Sequence, residues 1–389
     1  MIDFRHKIDY RSLIFFTAFI MLILSGTFRM TMFVPHYRMI ARMCTLFDYL
    51  PLLLVTVKVL FLDKFSNLNK LIFIGLGVIL FYSSYISKSH DLANSYFLIL
   101  GSAGINVKKI FKASFFTMFF VILLTILSSF IGLVPNLVYF RNGIFRMALG
   151  TIYPTILSSI IFFIMVAFVC WNIKTTNKRL VISSFTVISL LGLVMYILTD
   201  TRNDFICTML LAVVILWRYY EKILKTRLLR AVVLVMPTIV FLWTMISGFF
   251  FNSGNATWNF FNRLFSNRLA LVYYATNRYP VRLLGQSFNE HGNGYSLKPV
   301  KNYFFIDSSF SRVMLLNGML SFILIYLAIQ IAFYLIIKKE VPFLTAFLLV
   351  FIVAMLEGTF STLFMTVAFN VTLFGLKVLL PERKRFIYD

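Results

Sequence analysis

The residues best suited to chemistry in this chain are arginines. Arg29, Arg38, Arg42, Arg141, Arg146, Arg202, Arg263, Arg268, Arg278, Arg282 and Arg312 stand between apolar runs, with few lysines beside them. A guanidinium is planar, permanently charged and able to grip a phosphate through two parallel N–H bonds. Arginine kept where lysine is scarce therefore points to bidentate anion binding. Headgroup anchoring and capping of helix C-termini are the plainer uses of any single one.

Carboxylates are few, 14 against 37 lysines and arginines. Asp204, Glu290 and Asp307 share loops with the arginines, and His291 adjoins Glu290. Such a group, within hydrogen-bond reach of a hydroxyl, can take its proton during attack. Asp307 is the first candidate, because it follows the apolar stretch 303–306, where burial could tune it. Its alternatives are to cap the next helix or to pair with Arg312. Asp204 opens an apolar run, where an acid also suits the helix dipole. Glu290 and His291 fall in a glycine-rich turn, 290–294, and read as solvent-exposed. Glu357 lies inside an apolar run, which is costly unless it pairs or faces a polar cavity. It could bind hydroxyls or an arginine, or serve as a buried partner for a helix such as the one carrying Lys58. Asp48 and Lys58 themselves can be explained by snorkelling from near span ends.

The elements that must hold these residues are membrane helices. The 389 residues are 60% hydrophobic and 13% charged, with mean hydropathy +0.88. A soluble domain would carry about 25% charged residues. Apolar runs cover 13–28, 46–62, 71–87, 92–106, 113–134, 151–171, 180–199, 205–220, 229–250, 313–337, 342–357 and 359–379. Each is near the ~20 residues needed to cross the hydrocarbon core. The expectation is an all-α integral membrane protein, a polytopic bundle of about 11–12 helices forming one membrane domain over 1–389. No small-residue cleavage site follows the first run, so no cleavable leader is expected.

The net charge of +23 is spread through short loops, which favours membrane orientation and anionic lipid over nucleic acid. With a cytoplasmic N-terminus, alternate loops carry Lys64/Lys70, Lys108/Lys109/Lys112, Lys174/Lys178/Arg179, Lys222/Lys225/Arg227/Arg230 and Lys338/Lys339. Arg383, Lys384 and Arg385 fall on that same side, which places both termini in the cytoplasm. The arginines named first then face outward.

The long hydrophilic segment, 252–312, also falls outside. It is rich in aromatic and aliphatic residues, and 257–279 spaces them as an amphipathic helix would, with Arg263, Arg268 and Arg278 interleaved. Such a helix suits the membrane interface. Leu284-Gly285-Gln286 and the stretch 290–294 read as turns.

In chain order the outer side carries Arg146-Met-Ala-Leu-Gly150 with Tyr153-Pro154, then Thr201-Arg202-Asn203, Asn267-Arg268-Leu269 and Leu284-Gly285-Gln286. Ile306-Asp307-Ser308-Ser309, Leu315-Leu316-Asn317-Gly318 and a late-helix Glu357 follow. This order resembles the Wzy-type repeat-unit polymerases of Gram-positive capsule and exopolysaccharide pathways, relatives of the O-antigen polymerases and ligases. Asn203-Asp204 departs from the small residues that such proteins commonly carry after the arginine. The resemblance implies a GT-C-like fold and a metal-independent glycosyltransferase of the cytoplasmic membrane. It would join undecaprenyl-pyrophosphate-linked oligosaccharides on the outer side, in company with the flippase and chain-length regulator of the same pathway. Arg146, Arg202 and Arg268 would then stabilise the leaving diphosphate, with Asp307 as base. Arg141, Arg263, Glu290, His291 and Glu357 would contribute to substrate binding.

Other chemistries lack their motifs. No DxD, Walker A, GxSxG or HExxH sequence occurs. Cys44, Cys170 and Cys207 are isolated, and His6, His36, His90 and His291 form no ligand pattern, so neither metal nor cofactor is expected. The first outer loop, from Phe28 to Thr45, holds no acid, unlike transferases of the polyprenyl-monophosphate mannosyl type. A flippase of lipid-linked oligosaccharide is the alternative from another class, although no repeat of the kind transporters show is visible. A glycan ligase is the alternative among enzymes.

Overall fold

The computed structural model describes residues 9–141, 143–265, 267–297, 300–366 and 368–380. Arg383, Lys384 and Arg385, whose side was assigned above, lie outside them. The chain is a mostly helical, multi-pass membrane protein. The helices are α1 (Tyr10–Arg29), α2 (Arg38–Val57, continued by a π-helical turn Lys58–Leu62), α3 (Asn67–Ser87), α4 (Asp91–Gly101) and α5 (Val107–Phe130). After a hairpin, β1 (Val138–Arg141) and β2 (Ile144–Met147), come α6 (Pro154–Asn172), α7 (Lys178–Thr199), α8 (Arg202–Ile215) and α9 (Arg227–Phe250). The long loop carries α10 (Ala256–Leu264) and α11 (Arg268–Arg278). It leads through Ser309–Asn317 into α12 (Gly318–Ile337), and then to α13 (Pro342–Gly358).

Eight helices among the described residues are long and apolar enough to cross a membrane. The other apolar runs prove shorter or irregular. α4 has 11 residues, α8 has 14 and α13 has 17. The run 359–379 is not an α-helix: it is irregular to Asn370 and then forms a 3-10 turn. Hydropathy registers only that a segment is apolar. Non-helical backbone is tolerated at membrane depth when protein surrounds it, and most of 359–380 is buried here. Part of its backbone is satisfied from outside the segment, because Ser309 donates both its N–H and its hydroxyl to the Ser361 carbonyl.

Lipid-facing and protein-facing stripes are distinct. On α5, Phe116, Phe120, Leu124 and Leu127 are exposed at helical spacing, while Ile110, Ser114, Met118, Val121, Thr125 and Ser128 are buried. Between helices in lipid the hydrophobic drive is weak, so small residues and polar contacts carry much of the association. The α3–α12 junction shows this: Ser83 donates to the Asn317 carbonyl at 2.7 Å, and the Asn317 amide donates to Ser87 at 3.1 Å.

The long loop is a docked structure. The amphipathic pattern expected over 257–279 is two helices broken at Asn267, which takes a left-handed φ of 65°, as Asn tolerates. Leu269, Val272, Ala275 and Thr276 form the buried face of α11, and Thr276 hydrogen-bonds the Gly248 carbonyl on α9. Leu284-Gly285-Gln286 is a backbone clasp rather than a free turn. The Gln286 N–H donates to the Leu316 carbonyl at 2.9 Å, and the Leu320 N–H donates to the Leu283 carbonyl at 3.0 Å. Gly285 (φ 100°) and Gly318 (φ 91°) lie so close that a Cβ on Gly285 would stand 2.2 Å from the Leu316 carbonyl oxygen.

The β-hairpin is an element that helical periodicity could not reveal. Asn142-Gly143, at its tip in the sequence, is the dipeptide that two-residue hairpins favour. Tyr139 stands opposite Arg146 in the register. Its hydroxyl donates to the Asn293 carbonyl at 3.0 Å, which ties the hairpin to the long loop.

Candidate active site

At the loop end of the bundle the predicted residues form three separate groups. In the first, the Arg268 Nε donates to the Asp307 carboxylate at 3.1 Å, and both side chains are about a quarter exposed. This bond uses Nε and leaves the terminal nitrogens of the fork outside it. Ser308, not Asp307, caps the following helical turn by accepting from the Ser311 N–H. Arg312 pairs elsewhere, so neither plain alternative for Asp307 is realised.

Behind this pair lie two acids. Glu357, at the end of α13, is fully buried, and neither of its carboxylate oxygens has a hydrogen-bond partner among the described residues. Asp204, in the first turn of α8, is 3% exposed and accepts from the Ser159 hydroxyl at 3.1 Å. The two acids act on each other electrostatically, and Arg268 is the cation that acts on both. Phe265 stacks on Phe360 with centroids 4.4 Å apart, closing the loop over this corner. Lys58 is not the partner of Glu357. It is itself buried and donates to Asp63 at 2.7 Å and to the Ala103 carbonyl at 3.1 Å. An ion pair at five residues' separation in sequence explains Lys58 better than snorkelling does.

The second group surrounds the hairpin. Arg146, only 1% exposed, donates from Nε to the Thr199 carbonyl at 2.6 Å and lies over the Tyr153 ring at 5.7 Å. Burial, reinforced by nearby Arg141, lowers its pKa from the usual arginine value. Burial likewise pushes the Tyr139 hydroxyl up to about 12. Arg141, half exposed, pairs with Asp200 at 3.2 Å. Arg146 thus joins β2 to the end of α7, and its fork is enclosed by protein. Arg202 is exposed at the start of α8, two residues before Asp204, and Arg263 is exposed on α10.

The third group lines a cleft of about 510 Å³. Glu290, read above as solvent-exposed, is instead bound by Arg312 at 2.6 Å and accepts the Ile306 N–H at 3.0 Å. The long loop folds back on the start of the Ser309–Ile337 helix, and that brings the two together. His291 is exposed, and its backbone pairs with Phe304. The lining also holds Arg29, one of the outer arginines, and Asp48, Tyr49, His90, Asp91 and Asn94, none of which was picked as a site residue from the sequence. Arg29 and Ser25 both bind the Asp48 carboxylate, so Asp48 is paired rather than snorkelling. The signal that could have found this part of the lining is His90-Asp91, two polar residues together at a turn between apolar runs on the arginine-bearing side.

Among the described residues no group of three or more His, Cys, Asp or Glu side chains could hold a metal ion. Comparison with family models, with curated proteins and with solved structures returns no match for this chain.

Proposed function

We propose that this chain is a polymerase of lipid-linked glycan repeat units, acting at the outer face of the cytoplasmic membrane with both termini in the cytoplasm. One observation carries the reading: a docked loop presents Arg268 and Asp307 together, partly exposed, with Arg268 near enough to the buried acids Glu357 and Asp204 to act on both electrostatically. In this reading the undecaprenyl-pyrophosphate-linked chain is the donor. Arg268, with its terminal nitrogens uncommitted to Asp307, neutralises the charge that develops on the departing diphosphate. Asp307 is the accessible carboxylate that takes the proton from the attacking hydroxyl of the incoming lipid-linked unit. Asp204 and Glu357 act on the guanidinium through their field, without a direct bond to it. Arg146 holds the hairpin in place, and Arg202 and Arg263 extend the cationic rim. A GT-C-like architecture and transfer without metal belong to the same reading, and the family resemblance of the motifs supports it.

The test supplies a lipid-pyrophosphate-linked repeat unit to the purified full-length protein in nanodiscs, without nucleotide sugar or divalent metal. Lengthening of the saccharide is the expected result. Passage of intact units across liposomes with no lengthening would replace polymerisation by transport.

A further inference from the structure

The polar cleft and an apolar groove succeed one another along the same three helices, α2, α3 and α4. The cleft takes Asp48 and Tyr49 from α2, Ser87 from α3 and Asp91 and Asn94 from α4. The groove, about 620 Å³, is bounded further along by Thr56 and Val59, by Phe73, Ile74 and Phe81, and by Phe97. On α3 it runs from Lys70 to Tyr85, and the cleft begins at Ser87. Tyr85 follows Phe73 by 12 positions, a rise of about 18 Å, more than half the hydrocarbon thickness. Its one cationic lining residue, Lys70, sits at the end away from the cleft and is bound to the Leu60 carbonyl.

We infer that cleft and groove together hold one amphiphile, a glycolipid with an uncharged sugar head, with its sugar in the cleft and its chain in the groove. This site is distinct from the Arg268 corner and from the diphosphate-linked substrates of the polymerase reading. The cleft's charges choose the head. Arg29 is taken by Asp48 and Arg312 by Glu290, and of the remaining Lys88, His90 and Asp91 the lysine and the aspartate are of opposite sign. No surplus of either sign is left to attract a free phosphate or a cation. Donors and acceptors alternate instead, as a ring of hydroxyls requires. Asn94 adds an independent sign of a ligand. It is 4% exposed and lines the cleft, yet its side-chain oxygen has no hydrogen-bond partner among the described residues. A buried acceptor left unpaired is expensive, and a sugar hydroxyl would satisfy it. Tyr49 and Phe288 supply aromatic surface for the apolar face of a sugar ring. The groove supplies what a chain needs, aromatic and aliphatic walls opening toward lipid, with Ile74, Phe81 and Tyr82 exposed.

The experiment uses full-length protein in nanodiscs and a dodecyl β-glucoside carrying a diazirine in its chain, with the same chain on phosphocholine as control. Labelled residues are mapped by mass spectrometry. The glucoside should label α3 and α4 along the groove about five- to thirty-fold above the phosphocholine probe, the worth of one or two hydrogen bonds. Asp91→Asn and Asn94→Leu should abolish that preference. Ile74→Trp, at an exposed position that tolerates bulk, should remove labelling by both probes. Arg268→Lys should leave labelling unchanged. Equal labelling by both heads, or a preference that survives Asp91→Asn in protein that still elutes and unfolds like wild type, overturns the site. Sugar-dependent labelling in a protein that lengthens no chain would keep this site and remove the polymerase.

Discussion

Two buried acids at opposite ends of the bundle are treated in opposite ways. Asp63 is bound through both oxygens by Lys58, which also donates to the Ala103 carbonyl, so each charge is met within the protein. Glu357 is more deeply buried than Asp63, its neighbour Asp204 is also an acid, and among the described residues no cation forms an ion pair with it. A paired internal charge contributes to architecture. A buried acid without a cation costs stability in either protonation state, and a chain that keeps one does so for some other return. The loop end therefore carries a standing energetic cost that the other end avoids, and that asymmetry, more than the number of arginines, marks the loop end as the working end.

The sharpest way to break this contrast is Lys58→Met, which leaves Asp63 buried without its cation. It should cost about 3–5 kcal/mol, seen as a large fall in the thermal midpoint in detergent, and the double change Lys58→Met/Asp63→Leu should recover most of it. Next in size, Arg268→Lys should lower chain lengthening about 10²- to 10³-fold while insertion and midpoint stay near wild type; full activity in that variant would remove the corner from the chemistry. Gly285→Ala adds a Cβ against the Leu316 carbonyl at a positive φ. It should cost about 1–3 kcal/mol and open the loop to limited proteolysis between α11 and α12. The smallest effect, and opposite in sign, is expected of Glu357→Gln: replacing a buried acid that has no cation by an amide of the same shape should raise the midpoint by on the order of 1 kcal/mol or less. If Glu357→Gln instead destabilises as Lys58→Met does, Glu357 is structural and the contrast fails.

Much of this was legible from apolar runs. The helices 71–87, 180–199 and 229–250 stand where hydropathy put them, within a few residues of Asn67–Ser87, Lys178–Thr199 and Arg227–Phe250. The run 359–379 misled, because apolar composition is common to a membrane helix and to irregular chain packed inside protein. At the candidate site, Asp307 and Arg268 were both picked out, but Arg312 was set beside Asp307 as its potential partner when it binds Glu290. Arg146 was picked out as a catalytic arginine, and its single best contact is the Thr199 carbonyl. The α4 wall of the cleft was passed over, since its one local mark, the His90-Asp91 pair at a turn, does not show which residues it will face.

Residence in the membrane, the approximate spans and the segregation of arginine from lysine are properties of composition over some twenty residues, and such local sums need no knowledge of the fold. Which acid meets which cation is a different kind of fact. Arg268 and Asp307 are 39 residues apart, Glu290 and Arg312 are 22, and Arg141 and Asp200 are 59. Their meeting depends on the rotational phase of each helix and on a backbone clasp at Gly285 and Gly318 that docks the loop. No local window contains that information, because an ion pair forms only where the whole chain has already brought two side chains within a few ångströms.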